Sequence, residues 1–207
     1  MRPLPRLHAI TDGRILADKD LGIRAAAIAA AGPAVALHVR DPGAGGAALA
    51  RAALRLLTLA RPPEAALFVS ARPDLAAAVD ADGLQLPGHC LAPADARRVF
   101  PRGWIGRSVH SVAEAERAIV EGADFLMVGN IYPSTSHPGL PGAGLDLVRR
   151  TAALGPPVVA IGGIDAARAV EVRDAGAWGV AVIAALWEAD DPAAAALALL
   201  EPWLAAA

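Results

Sequence analysis

Apolar residues along the chain fall into short unbroken runs, and between them lie longer stretches with apolar positions at helical spacing. The first run covers residues 7–10 and closes on the turn signal Thr11-Asp12-Gly13. Residues 15–31 are alanine-rich with Leu and Ile at helical spacing, and Gly32-Pro33 stops them, which predicts one helix. The alternation then repeats. Strands are predicted over 34–39, 66–69, 83–86, 104–107, 125–128, 157–160 and 179–183. Helices are predicted over 47–60, 73–79, 93–100, 112–121, 145–153, 166–175 and 192–204. Ser111 followed by Glu114 gives the helix over 112–121 a capping-box start.

The pattern amounts to eight strand–helix pairs. The strands are near-continuous apolar runs, as in a parallel sheet buried on both faces. Repeated right-handed βαβ units of this length predict a (β/α)8 TIM barrel, a single domain over residues 1–207. An open doubly wound sheet is the alternative, but no G-x-G-x-x-G follows the first strand. In the barrel, the site is expected in the loops at the C-terminal ends of the strands.

One of those loops stands out. Residues 129–144, GNIYPSTSHPGLPGAG, form the longest connection and carry three prolines and, with Gly129, four glycines. Loops of this length inside a compact domain are usually functional or disordered, and this composition points to a shaped one. It offers Asn130, the hydroxyls of Ser134, Thr135 and Ser136, and His137.

The sharpest local signal is VVAIGGIDAARA, a strand that ends in Gly162-Gly163 and leads to a helix with Asp165 as its N-cap candidate. Glycines let a phosphate approach the backbone, and amides at a helix start satisfy its oxygens. In barrels the loops after strands seven and eight often share this task, so Ile183 and Ala184 would supply the other half. A tight turn is the plainer alternative for the two glycines.

Arg40, at the end of strand two, faces the same side as Ala36 and His38 and can grip a carboxylate or phosphate with two prongs. A salt bridge to Asp41 or to a neighbouring loop is as good a reading, and the same ambiguity applies to Arg72. Gln85 lies inside strand four, where a polar group facing the barrel needs partners; it reads as ligand-facing, with an interior polar layer as the alternative. His8 and His38 read as barrel-interior groups. His110, in SVHS at a strand end, and His137 are the loop imidazoles able to move a proton, although either can equally fix local structure. The five histidines show no HExxH or His-x-His pattern, so no metal site is expected.

Composition narrows the field. A formal net charge of −2 and 4% aromatic residues argue against nucleic acid as a partner. The apolar run 25–37 is too short for a membrane span and is broken by Gly32-Pro33, so no membrane partner is expected. The lone Cys90 suits a reducing compartment, and the N-terminus lacks a signal-peptide core, so a cytoplasmic location is expected. A homo-oligomer is compatible with the sequence.

The segments LHAITD, HVRD, ARPDLA, GLQLPG, IGRSVHS, ADFLMVGNIYPSTSHPG, VVAIGGI and GVAVIAAL, in this order, resemble the thiamine phosphate synthase superfamily. The closer likeness is to its thiazole tautomerase (TenI) branch, over residues 7–186. The resemblance implies a (β/α)8 barrel that binds a small-molecule thiazole phosphate. The synthase branch joins a pyrimidine pyrophosphate to that phosphate with Mg²⁺. Its Q-x-R-E-K motif appears here as His38-Val39-Arg40-Asp41-Pro42, and its metal-binding Asn-Asp pair as Ser70-Ala71. Its second metal carboxylate falls on Cys90, and the Lys of T-x-T-K becomes His137. Synthase activity is therefore not expected.

The thiazole phosphate half survives. By this resemblance Gly163, Ile183 and Ala184 hold the phosphate through amides, Ser134, Thr135 and Ser136 line the thiazole side, and Ser108 is the loop serine of the pyrimidine side. The tautomerase branch turns the exocyclic-double-bond carboxythiazole phosphate into its aromatic isomer, with neither metal nor cofactor. That branch has an acid/base His directly after the strand-six glycine, where this chain has Asn130. Proton transfer would then fall to His137, His110 or water. The expectation is a thiazole phosphate tautomerase; a non-catalytic thiazole-phosphate-binding or regulatory protein and a divergent synthase are the alternatives.

Overall fold

A computed structural model describes residues 2–61, 64–134, 139 and 141–204. Eight strands form the wall: β1 (Leu7–Ile10), β2 (Val35–Val39), β3 (Ala66–Ser70), β4 (Gly83–Leu86), β5 (Trp104–Val109), β6 (Phe125–Val128), β7 (Val158–Ile161) and β8 (Gly179–Val182). They pair in parallel in sequence order, and β8 closes on β1 with Val182 beside Ala9. The expected (β/α)8 barrel is what the chain forms.

Around the wall run α1 (Gly13–Ala17), α2 (Leu21–Ala29), α3 (Gly46–Ala60), α4 (Pro73–Ala78), α5 (Pro93–Val99), α6 (Val112–Val120), α7 (Gly144–Ala152), α8 (Ala166–Asp174), α9 (Ala184–Trp187) and α10 (Pro192–Leu204). Their inward faces are largely alanine, with Ala25, Ala53, Ala76, Ala96, Ala115, Ala118, Ala169 and Ala196 buried. A methyl group lets a helix lie close on the sheet, so Leu and Val from the strands fill that layer.

The barrel interior is a separate, smaller core. The two-residue period turns Ile10, Ala36, Ala66, Phe68, Phe125, Met127, Val159 and Ala181 inward. The two phenylalanine rings fit because facing positions lack side chains. A Cβ on Gly83 would lie 2.1 Å from Phe68 Cε1, and one on Gly106 would lie 2.2 Å from Phe125 Cζ. The buried His8 and His38 sit among them, with His8 Nδ1 2.8 Å from His38 Nε2 and His8 Nε2 3.1 Å from the Pro5 carbonyl. The carbonyl can only accept, so His8 carries its proton on Nε2 and accepts at Nδ1 from His38. Burial holds His8 down at about pKa 4 and His38 well below the ordinary histidine value, so both rings are neutral.

Two predicted elements differ. The single helix over 15–31 is two, because Asp18 receives the chain: its amide donates to Ile15 O and its Oδ1 accepts from Asp20 N. The other difference follows β8: the strand predicted over 179–183 ends at Val182, and α9, a helix the sequence does not predict, begins at Ala184. No helix among the described residues is long and apolar enough to cross a membrane.

Candidate active site

A cavity of about 1220 Å³ opens at the C-terminal ends of the strands. Its wall takes Ile10 and Asp12 from the end of β1, Arg40 from β2, Ser70 from β3, and Gln85, Pro87 and His89 from β4 and its loop. Ser108 and His110 come from β5, and Gly129, Asn130, Pro133 and Ser134 from the loop after β6. Gly162, Gly163, Ile164 and Asp165 follow β7, and Ile183, Ala184 and Ala185 follow β8.

Arg40 leaves β2 one residue past its last strand position, and Thr11 fixes its backbone. The buried Thr11 hydroxyl donates to His38 O at 2.9 Å and accepts from Arg40 N at 2.9 Å. Among the described residues the Arg40 guanidinium has no hydrogen-bond or ion-pair partner, so the alternative of a salt bridge to Asp41 is not what forms. Asp41 Oδ1 instead accepts from Gly43 N.

Opposite lies a polar wall. The Gln85 amide donates to Ser108 Oγ at 3.0 Å, which leaves the serine hydrogen available to another acceptor. Ser134 Oγ donates to Asn130 Oδ1 at 3.3 Å. Three buried atoms lining this cavity have no partner among the described residues: Ser70 Oγ, Gln85 Oε1 and Asn130 Nδ2. Buried polar groups are nearly always satisfied, and leaving one bare costs about 1–3 kcal/mol. Such a set in one cavity wall offers a polar ligand one acceptor, one amide donor and one hydroxyl.

The loop after β7 requires its two glycines. Gly162 and Gly163 have φ of +108° and +62°, and a Cβ on Gly163 would meet Pro133 O at 2.5 Å. A Cβ on Gly162 would meet Asn130 Oδ1 at 1.8 Å, so the Asn130 side chain packs directly on this glycine. Beside it, after the neighbouring β8, α9 has no side-chain cap, and the amides of Ala184 and Ala185 in its first turn have no intrahelical acceptor.

His110 lines the cavity with its side chain 63% exposed; its amide donates to Glu114 Oε2 at 2.8 Å, and its Nδ1 lies 3.3 Å from the same oxygen. Arg72 is not brought to the cavity. It holds Asp74 with two prongs, Nε to Oδ1 at 2.8 Å and Nη2 to Oδ2 at 2.5 Å, after Ala71 turns the chain at φ +62°. The expectations for Thr135, Ser136 and His137 lie outside the described residues.

Ser70, named in the sequence only as standing in for a metal-binding pair, lines the cavity itself and carries the same signal as Arg40, a polar residue closing an inward-facing register. Two further residues near the site give no such signal. Tyr132, the chain's one tyrosine, donates to Glu171 Oε2 at 2.7 Å, and burial and then Glu171 push its pKa up to about 12. Arg168 lies over the Tyr132 ring at 4.7 Å and donates to Gly163 O at 2.6 Å.

Known proteins resemble this chain in sequence and fold. A thiamine-phosphate synthase of Thermus thermophilus is 46% identical over 149 residues, 71% of this chain and 72% of that protein. The thiamine-phosphate synthase of Methanoculleus marisnigri is 40% identical over 199 residues, 93% of this chain and 92% of that protein. Among solved structures, a thiamine phosphate pyrophosphorylase from Pyrococcus furiosus superposes with a TM-score of 0.81 at 33% identity, covering 95% of this chain and 94% of that one. A 3-hexulose-6-phosphate synthase superposes with a TM-score of 0.67 at 20% identity, over 95% of this chain and 99% of that one, a likeness of fold alone. The model of the TMP-TENI family, described as thiamine monophosphate synthase, matches residues 7–186, from the first residue of β1 into α9 and so across every wall of the cavity: the chain belongs to that family.

Proposed function

We propose that this protein is a metal-independent thiazole phosphate tautomerase acting in thiamine biosynthesis. One observation carries the choice within the family. The two carboxylates in the cavity wall, Asp12 and Asp165, are each committed to a helix start, Asp12 Oδ1 accepting from Ile15 N and Asp165 Oδ1 from Arg168 N. Where the synthase branch holds Mg²⁺, this chain has Ser70, Ala71 and Cys90, and only Ser70 of these reaches the cavity. Mg²⁺ takes hard oxygen ligands including one or two carboxylates, and this donor set does not fit it. Among the described residues no group of three His, Cys, Asp or Glu stands close enough to hold a metal.

Aromatisation of the exocyclic tautomer is an internal proton shift: one C–H bond breaks, another forms, and no electrons leave the molecule. It calls for an anchored substrate and one group that exchanges a proton. Arg40 holds the carboxylate, the amides of Gly163, Ile183 and Ala184 hold the phosphate, and Ser134 with Asn130 faces the ring. His110 is the proton carrier among the described residues. Its Nδ1–H, turned to Glu114, leaves the Nε2 lone pair free as a base.

The test is direct. Incubation with the exocyclic tautomer is followed by ultraviolet absorbance as the aromatic ring forms, and a rate equal to that in buffer sinks the reading. Tight binding of the thiazole phosphate without turnover would instead mark a binding protein. The names of the relatives favour a second reading, a divergent synthase. It requires Mg²⁺-dependent release of pyrophosphate from the pyrimidine pyrophosphate, which the same protein sample can be assayed for.

A further inference from the structure

The anion loop after β7 is not held by its own strand alone. Two successive carbonyls are each bound by a residue that does not line the cavity: Gly162 O accepts from Tyr132 N at 3.1 Å, and Gly163 O accepts from Arg168 Nη1 at 2.6 Å. In a trans peptide unit the N–H points opposite to the C=O. Fixing these two oxygens therefore aims the next two amides, Gly163 N–H and Ile164 N–H, the other way. Neither amide has a backbone acceptor among the described residues, and both residues line the cavity. Consecutive amides held in this way, through a residue in the left-handed region, form an anion-binding concavity.

Arg168 is itself locked. Its guanidinium lies 4.7 Å from the Tyr132 ring centre, and the Tyr132 hydroxyl is tied to Glu171 Oε2 one turn along the same helix. Tyr132 belongs to the loop after β6, Arg168 and Glu171 to α8. The backbone of Tyr132 holds one carbonyl, and its ring orients the side chain that holds the other. We infer that Arg168, seated on Tyr132, is a positioning residue that presets the Gly163 and Ile164 amides for the phosphate of the substrate and makes the loop after β6 a structural part of that phosphate site.

The inference rests on the phosphate reading above, and the experiment separates the two. Binding of the thiazole phosphate, and of the same thiazole alcohol without its phosphate, is measured by calorimetry on wild type, Arg168→Gln, Tyr132→Phe and Tyr132→Ala. Wild type is expected to prefer the phosphorylated ligand. Arg168→Gln should lose roughly tenfold in affinity for it, about one charge-assisted hydrogen bond, and change little for the alcohol. Tyr132→Ala should follow in the same direction, and Tyr132→Phe, which keeps the ring under the guanidinium, should lose much less. The alcohol is the internal control for folding, since a disrupted barrel would weaken both ligands. If wild type does not distinguish the two ligands, the phosphate reading fails and this inference with it. If wild type does and Arg168→Gln keeps the full preference, the loop is preset without the clamp and only the inference falls.

Discussion

Arg40 is the group on which substrate affinity should depend most. It is the cation in the cavity wall with no partner among the described residues, so replacing it leaves no carboxylate unpaired and the loss reads as lost binding. A hydrogen bond to a charged group contributes about 1.5–3 kcal/mol, so Arg40→Gln should raise KM roughly 10- to 150-fold. The anchor acts equally on substrate and transition state, so kcat should stay near wild type. A fall in kcat at unchanged KM would place Arg40 at the reacting atoms instead. Asn130 gives a second test, because an amide orients a substrate but exchanges no proton near neutrality. Asn130→His should raise the tautomerisation rate and His110→Ala lower it; if neither moves, the proton travels by another group. Arg40 was legible because a two-residue period carried it inward from β2. For Arg72 the salt-bridge alternative is the one that forms, for a local reason: Ala71 turns the chain in the left-handed region, and Asp74, two residues on, captures the guanidinium.

The strands were the legible elements, and the reason is packing. β1, β4 and β6 begin and end where predicted because each apolar run is bounded on both sides by polar or turn residues. α9 was hidden because Ile183-Ala184-Ala185-Leu186-Trp187 continues the apolar run of β8 without a break, and periodicity cannot divide such a run. The clamp on the β7 loop was equally invisible, since it joins Tyr132 to Arg168 and Glu171 through contacts that only the closed barrel creates. Gly83 in β4 and Gly106 in β5 are the space for two phenylalanine rings, a role that depends on the closed barrel and that a local pattern does not carry. Gly106→Ala would place a Cβ 2.2 Å from Phe125 Cζ and 2.3 Å from Gln85 Oε1. Overpacking of this kind costs about 1–3 kcal/mol, which for a barrel of this length predicts a Tm lower by roughly 2–12 °C. Since the same methyl presses on Gln85, ligand binding should weaken too. A Tm within about 1 °C of wild type, on the order of experimental error, would show that both side chains can move aside.

The barrel as a unit carries its acid sensitivity in its centre. His8 and His38 are buried, stacked among Phe68 and Phe125, and bonded to each other and to Pro5 O. Desolvation is the main cause that lowers both pKa values, and a positive charge on His8 would further disfavour one on His38. An unfolded histidine takes up its proton near pH 6.5, whereas His8 in the barrel does so only at about pH 4, and His38 lies in the same direction. Between those values the unfolded chain binds more protons than the native one, so stability is full above about pH 6.5 and falls as the pH drops toward 4. Each ring that stays neutral contributes a slope of up to about 1.4 kcal/mol per pH unit in that window. The same neutrality governs what the pair does for the site. The donor from His38 to His8 keeps His38 in register beneath Arg40, and Thr11 ties the His38 carbonyl to the Arg40 amide. Protonation of the pair would therefore loosen the end of β2 that carries Arg40. The measurement is Tm at steps from about pH 7.5 to about 4.5 for wild type and His38→Gln, a variant that keeps a donor for His8 Nδ1 but cannot titrate. Wild type should lose Tm on acidification below about pH 6.5, and His38→Gln, whatever its starting stability, should lose less over the same interval. Parallel curves for the two proteins would mean that the acid sensitivity comes from surface carboxylates and that the buried pair takes no part in it.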